Sequence, residues 1–523
     1  MRRLQLLLLI LSSLSSFPVL AQVPAAKDFS DKPLRVEIPA RSVNETYRVI
    51  PCGTKGMILF FRSQEIADET RIKWYFSLYD TNLQLQWVKN IPLLNDMEFR
   101  FQQSGADTLA LLFLHTGKTR GTENDFQILR IVPGKGTMIL NAGKINQDAE
   151  VVAFGLQKGR GWLGCNMKGQ AGKILNIKLS SGLVHGFPLG QGTQIGIKWM
   201  QPDSVGATVS TVVSRPLSKK SIEQYLVRYD TAGLIKSEIL IGSQDFSRDL
   251  THVIIPDPSA SPGLVMGSYG EFVTLSGQKN KVTDASAGFF TSTVANGAQK
   301  SLNFYNFLEM SNANSLLTER EIMNLKKKAL RKNKTLSEYS LDLSILLHGV
   351  YPWQEQLILV AEVFSPQYHT ESFTDFDYYG RPYTNSFSVF DGYRFYNTII
   401  VGFDKSGKML WDNTFEIRNL VSLELSPKVV LFPSQQDLVL CYVSDGMVGT
   451  KIIHENRVVE KTDFGPVDLL YPDEKLISES KAKLISWYGN YFITYGYQEI
   501  KNIALATNNK RLVFYFSKLR FDK

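Results

Sequence analysis

Six histidines (His115, His185, His252, His348, His369 and His454) and three cysteines (Cys52, Cys165 and Cys441) are the side chains here best suited to metal binding or nucleophilic chemistry. No two of them stand at metal-ligand spacing, so no metal is expected, and the cysteines read as buried, inert thiols of which at most one pair could bridge. Asp375-Phe-Asp377 could touch calcium, but the EF-hand pattern is absent and a solvated turn accounts for it. Gly159-Arg-Gly161-Trp-Leu-Gly164 has the spacing of a dinucleotide loop. Strand-like residues flank it on both sides, so the helix N-terminus that would hold a pyrophosphate is missing and a hairpin turn is expected. Neither a Gly-x-Ser-x-Gly elbow nor a Walker loop occurs. Carboxylates could still converge in a central funnel from distant repeats, an arrangement that spacing along a chain does not reveal. The reading therefore favours binding over catalysis, with no cofactor.

The elements that would position such residues are strands. Almost every stretch alternates apolar and polar residues over five to eight positions and then breaks at Gly, Asn, Asp or Pro, the mark of half-buried antiparallel strands. A hairpin recurs, beginning at Trp74, Phe126, Lys173, Tyr225, Gly288, Asn397 and Thr450, with starts separated by 52, 47, 52, 63, 109 and 53 residues. A period near fifty built on hairpins predicts an all-β fold, a single β-propeller of four-stranded blades. One small sheet cannot bury both its faces alone, whereas sheets stacked around an axis can. Arg511–Phe521 looks like a further hairpin cut short, and Leu34–Ala40 like a strand without a partner. Pairing the two would complete a last blade and clasp the ring. Eight blades are preferred, and seven follow if the Gly288 or the Thr450 copy is misassigned. Two β-sandwiches are the rival architecture, but no Pro- or Ser-rich linker separates them.

Residues 1–21 read as a secretory signal peptide: Arg2 and Arg3, an apolar run from Leu4 to Leu11, and a small-residue cleavage site at Val19-Leu20-Ala21. The run is too short to span a bilayer, and no comparable run follows, so residues 22–523 are expected to be one exported propeller domain without a membrane span. Removing Arg2 and Arg3 takes 58 basic residues to 56 against 50 acidic, a fall in formal charge from +8 to +6. So mild a charge on an exported chain excludes a nucleic-acid partner.

Two insertions account for the 109-residue gap. At about 312–335 a helix is expected, from Thr318, whose capping box with Glu321 opens it, to Lys332; Lys327, Lys328 and Arg331 crowd its last turns. At 362–397 an aromatic-rich loop is expected, with twelve Phe or Tyr among thirty-six residues in a chain that is 11% aromatic. Each insertion also has a plain structural reading, a solvated basic helix and a small aromatic core of the loop's own. A blade meander sends both from the same rim. The partner-binding candidates are therefore Tyr368, Phe373, Phe376, Tyr378, Tyr379, Tyr383 and Tyr393, with Lys327, Lys328 and Arg331 beside them.

The segment GFDKSGKMLWDN, with Asp404, Gly407 and Trp411, resembles the blade motif of quinoprotein-like (PQQ-type) propellers; Asp80 with Trp87, and Asp230 with Gly233, echo it in part. As a whole the chain resembles exported bacterial β-propellers. The resemblance implies the architecture. The function expected is an exported, non-enzymatic propeller binding a protein or glycan at the cell envelope (periplasm, outer-membrane surface or outside), with an enzyme in the central funnel, quinoprotein-like or hydrolytic, as the alternative.

Overall fold

In this computed structural model the described residues are 34–521, less 106, 117–122, 191–193, 204–206, 219–220, 244–247, 257–260, 272–284, most of 313–342, and 505–508. The signal peptide expected at 1–21 lies outside them. The strands form eight separate four-stranded antiparallel sheets, the arrangement of a β-propeller. Sheets 1 to 7 are simple meanders in chain order. They begin at Arg48, Met97, Ala149, Gly196, Arg248, Ile345 and Val430. The seven hairpins expected from sequence are the third and fourth strands of these sheets. Sheet 8 takes Glu474–Ser486, Tyr491–Asn502 and Lys510–Arg520 from the end of the chain. Its fourth strand is Arg35–Pro39, paired antiparallel with Lys510–Arg520 so that Arg35 faces Ser517 and Pro39 faces Val513. Arg511 ties the ends further, bonding Glu37 on one side and Glu474, at 2.6 Å, on the other.

Eight apolar cores join neighbouring sheets. Phe60 and Phe76 of sheet 1 meet Leu111 and Phe113 of sheet 2, and the series continues sheet by sheet. Sheet 8 then packs on sheet 1 through Tyr495 and Phe514 against Val49 and Leu59. Each such side chain contributes about 1.5–3 kcal/mol by leaving water. The strand patterns follow from this packing. Second strands are covered on both faces and read as apolar runs, as in Leu438–Ser444 (LVLCYVS), whereas outer fourth strands such as Thr137–Asn146 alternate buried and exposed.

Several local expectations meet their physical cause here. Lys158 and Gly159 both have positive φ and turn a tight hairpin into the strand Arg160–Met167, so the glycine-rich segment leads into a strand and not into a helix N-terminus. The motif at Asp404 is a turn in which the carboxylate Oδ1 accepts from the N–H groups of Ser406 and Lys408, each at 2.9 Å. Asp80 and Asp230 close the same turn. The quinoprotein-like resemblance thus rests on shared turn chemistry. All three cysteines are free thiols. Burial pushes Cys52 up to about 11, and Cys165 and Cys441 up to about 12, which leaves them poor nucleophiles.

One expectation falls mostly outside the described residues, and another needs revision. Most of the segment 312–335 lies outside the described residues, and no helical element is established there. Lys327 and Arg331 are described and exposed, whereas Lys328 is not described. The region 362–397 is not a loop. It is the middle of two unusually long strands, Gln356–Phe376 and Pro382–Asp404, paired as far as Phe376 and Pro382 with register shifts after Val363 and after Gln367. The alternation of Ser and Thr with rings there has the period of a strand, and the aromatic count obscured it.

Candidate functional site

The first strands of sheets 1, 2, 6, 7 and 8 share one central cavity of about 960 Å³. Its walls are mixed: Val49, Ile50, Leu431 and Leu484 are apolar, while Arg48, Arg100, His348, Glu424 and Lys483 bring charge or a titratable ring. Glu424 sits in the connector that leaves sheet 6 for sheet 7, which folds inward over the cavity. Its carboxylate accepts from Arg48 at 2.5 Å and from Lys483 at 2.6 Å. Burial alone would raise the Glu424 carboxyl, but Lys483 and Arg48 outweigh it and hold the group down at about 2.

A second carboxylate anchors the same connector from behind. Glu362 is fully buried, and its Oε1 accepts from the backbone N–H groups of Lys428 and Val429, at 2.7 and 2.6 Å. His348 Nε2 lies 2.8 Å from the same oxygen. Lys428, also buried, donates to Ser422 and Ser426. Burial pushes its ammonium down to about 8, and the charge of Lys483 adds to that effect. Only buried polar groups with partners are cheap to keep, so this cluster fixes the connector that carries Glu424.

The ribbon of sheet 6 stands apart from this wall. Cross-strand pairing puts Tyr368 opposite Phe390 and Phe376 opposite Pro382 on one face. On the other face Glu371 pairs with Phe387, Phe373 with Asn385, and Asp375 with Tyr383. Tyr378 and Tyr379 crown the turn, in which Asp377 Oδ1 accepts from the N–H groups of Tyr379 and Arg381. Asp375 takes the Tyr383 hydroxyl, so both carboxylates of the suspected calcium pair have structural work. Six of the seven aromatic candidates are exposed, Tyr378 by 97% and Tyr379 by 79%. Tyr393 is the exception: half-buried, it packs edge-on to Phe364 and Phe390 at the foot of the ribbon. The structure therefore spreads the predicted rings over two faces and a tip instead of gathering them in one patch. Arg48, Glu424, Lys428, Lys483, His348 and Glu362 were missed, because they come from three sheets and the connector between sheets 6 and 7, and no local spacing links them. The one signal in the sequence was a lone Glu inside the apolar run QLILVAEVF.

No family model matches this chain, and no curated protein matches its sequence. Solved structures similar to it include a prolyl endopeptidase, with TM-score 0.38 and 9% identity over 86% of this chain and 53% of that one. A dihydro-heme d1 dehydrogenase matches with TM-score 0.42 and 9% identity, over 94% of this chain and 81% of that one. The periplasmic gluconolactonase of Pseudomonas aeruginosa matches with TM-score 0.34 and 9% identity, over 81% and 99%. This chain spans about half the length of the prolyl endopeptidase. At such scores none of these likenesses carries an activity; the fold stands on the eight sheets and their shared cores.

Proposed function

We propose that this chain is an exported β-propeller that binds a protein partner at the bacterial envelope through the ribbon of sheet 6. What carries the reading is the exposure of large rings on both faces and at the tip of a two-stranded ribbon. Such a ribbon is marginal by itself in water, and exposed apolar surface of this kind marks a site of interaction. The ribbon is also acidic, with Glu371, Asp375, Asp377 and Asp391 against Arg381 and His369. Asp391 and Glu371 hold the His369 ring toward its protonated form. The partner that fits is a protein with an apolar surface bordered by basic side chains, and an anionic lipid surface fits poorly. Lys327 and Arg331 precede sheet 6 in the chain, and by the alternation of the meander we infer that their connector rises on the rim of the ribbon; Lys328 lies outside the described residues. Lys327 and Arg331 would border the docked partner. The pairing of Arg35–Pro39 into sheet 8 would act as the clasp of the ring.

The test is capture from envelope extract by the full chain and by a Phe376→Ser, Tyr378→Ser, Tyr379→Ser variant, followed by reconstitution with the purified partner. The expected result is a stoichiometric complex with a protein bearing a basic patch, weakened at least tenfold in the variant. Equal binding by the variant overturns the reading, and binding to a glycan array with no protein captured replaces the protein by a sugar. A second reading, an enzyme in the central channel, is favoured by one observation: Arg48, Glu424, Lys483 and His348 line the same cavity.

A further inference from the structure

The central cavity carries more positive charge than its own carboxylate offsets. Of the residues lining it, Arg48, Arg100 and Lys483 are cationic and Glu424 alone is anionic, a formal excess of +2 with His348 neutral. Arg100 bonds Glu98 outside the cavity, at 2.8 Å. Arg48 and Lys483 share the one Glu424 carboxylate, and each keeps further N–H donors: a guanidinium has five and an ammonium three. Lys428 stands directly behind, and burial first, with the neighbouring cations adding to it (Lys483 for Lys428, Arg48 for Lys483), lowers both ammonium groups. Solvent reaches the pair, for the side chains of Arg48 and Glu424 are 36% and 40% exposed. A second, smaller cavity of about 70 Å³ shares Arg48, Glu424, Lys483 and Tyr495 with the first, so the charged group stands at a junction of open space.

We propose that the central channel is a binding site for a small organic anion, whose carboxylate or phosphate is held by Arg48 and Lys483 and whose apolar body lies against Val49, Ile50 and Leu431. A planar guanidinium beside a point-charge ammonium suits either oxyanion. The volume falls within the range of small-molecule sites, and the mixed wall, mostly apolar with a few convergent charges, is the composition such sites share. Glu424 then keeps the two cations apart and oriented while the site is empty. The site is separate from the ribbon and presumes no reaction.

Calorimetry of the full chain with 1-naphthoate, its neutral amide 1-naphthamide and inorganic phosphate tests this. The expected result is one site per chain for naphthoate or for phosphate, with the amide at least tenfold weaker than naphthoate. Naphthoate alone identifies a carboxylate ligand, and phosphate alone a phosphorylated one. Lys483→Gln and Arg48→Gln should each weaken the anion at least tenfold, and Arg48→Lys should recover part of the loss. Should a glutamine variant fail to fold, Arg48→Lys and the amide comparison still decide. Equal affinity for naphthoate and its amide, binding unchanged in both glutamine variants, or no anion bound at millimolar concentration would each overturn the proposal.

Discussion

The exposed ribbon and the buried core of sheet 6 behind the channel are built from the same two strands, used in opposite ways. In Gln356–Phe376 the first half is buried, and it hides a carboxylate, Glu362, among Leu359, Val360, Ala361 and Val363. Beyond the irregularity between Val363 and Phe364 the strand runs out into solvent and exposes Tyr368, Phe373 and Phe376. The informative residues are thus buried and polar in one half, exposed and apolar in the other. Glu362 Oε1 gathers the Lys428 and Val429 N–H groups and His348 while its Oε2 lies buried without a hydrogen-bond partner, so the buried half hangs on that one oxygen. An exposed ring asks nothing of its neighbours, and the ribbon half can vary without disturbing the fold.

The largest effect that would break this contrast is expected at Glu362. Its Oε1 holds two backbone N–H groups of the connector as well as His348, so Glu362→Ala strands three donors inside the protein. A loss of about 3–5 kcal/mol is expected in chemical denaturation, with Glu362→Gln milder because the amide oxygen still accepts. If both variants melt like the parent, the connector does not depend on this carboxylate and the distinction between the two halves fails.

Next comes the alkaline dependence of stability. Lys428 loses its proton near 8 in the folded chain and near its ordinary 10.5 when unfolded. Between those values the unfolded chain holds the extra proton, so stability rises as pH goes from about 8 to 10.5, by at most ~3 kcal/mol. Lys428→Met should flatten that rise. Glu424 gives the acidic counterpart: its carboxyl is held at about 2, so its contribution is present above 4.5 and fades as pH falls toward 2. Water screens a side chain this exposed, and the acidic limb should be the weaker of the two.

The contrast also explains what could be read in advance. Seven outer hairpins and the near-fifty period were legible because each third and fourth strand alternates over a local span, as in Tyr225–Ile241. The rings at 364–396 were legible as a concentration, whereas the two-residue alternation of Ser and Thr beside them, which marks strands, was overshadowed by the aromatic count. The channel was illegible for a different reason. Arg48 and Lys483 are hundreds of positions apart and meet because sheets 1 and 8 are neighbours in space, while Glu424 reaches both from the connector between sheets 6 and 7. Histidine gave a misleading silence: His348 has no ligand-spaced partner in sequence, yet Glu362 lies 2.8 Å away across two paired strands.

The smallest effect on stability should come from the largest excision. The sequence alone would place the cut at Ser365–Tyr393, but Tyr393 packs against Phe364, and its backbone pairs with Ser422 just before the connector. Gly392 lies there too, where an added Cβ would come within 3.0 Å of the Ser422 carbonyl oxygen. A cut there would pull on the residues that seat Glu424. Tyr368 and Phe390 are the first cross-strand pair whose side chains are both exposed, so replacing 368–390 by a two-residue Asn-Gly turn removes only the solvated ribbon. The thermal melt should then shift by no more than a degree or two, because few buried contacts are lost, while partner capture disappears. Anion binding in the channel should persist unchanged, since Arg48 and Lys483 lie on other sheets. A large fall in the melt would make the ribbon part of the folded core, and loss of anion binding with the fold intact would couple two sites whose independence follows from where Val363 ends and Phe364 begins.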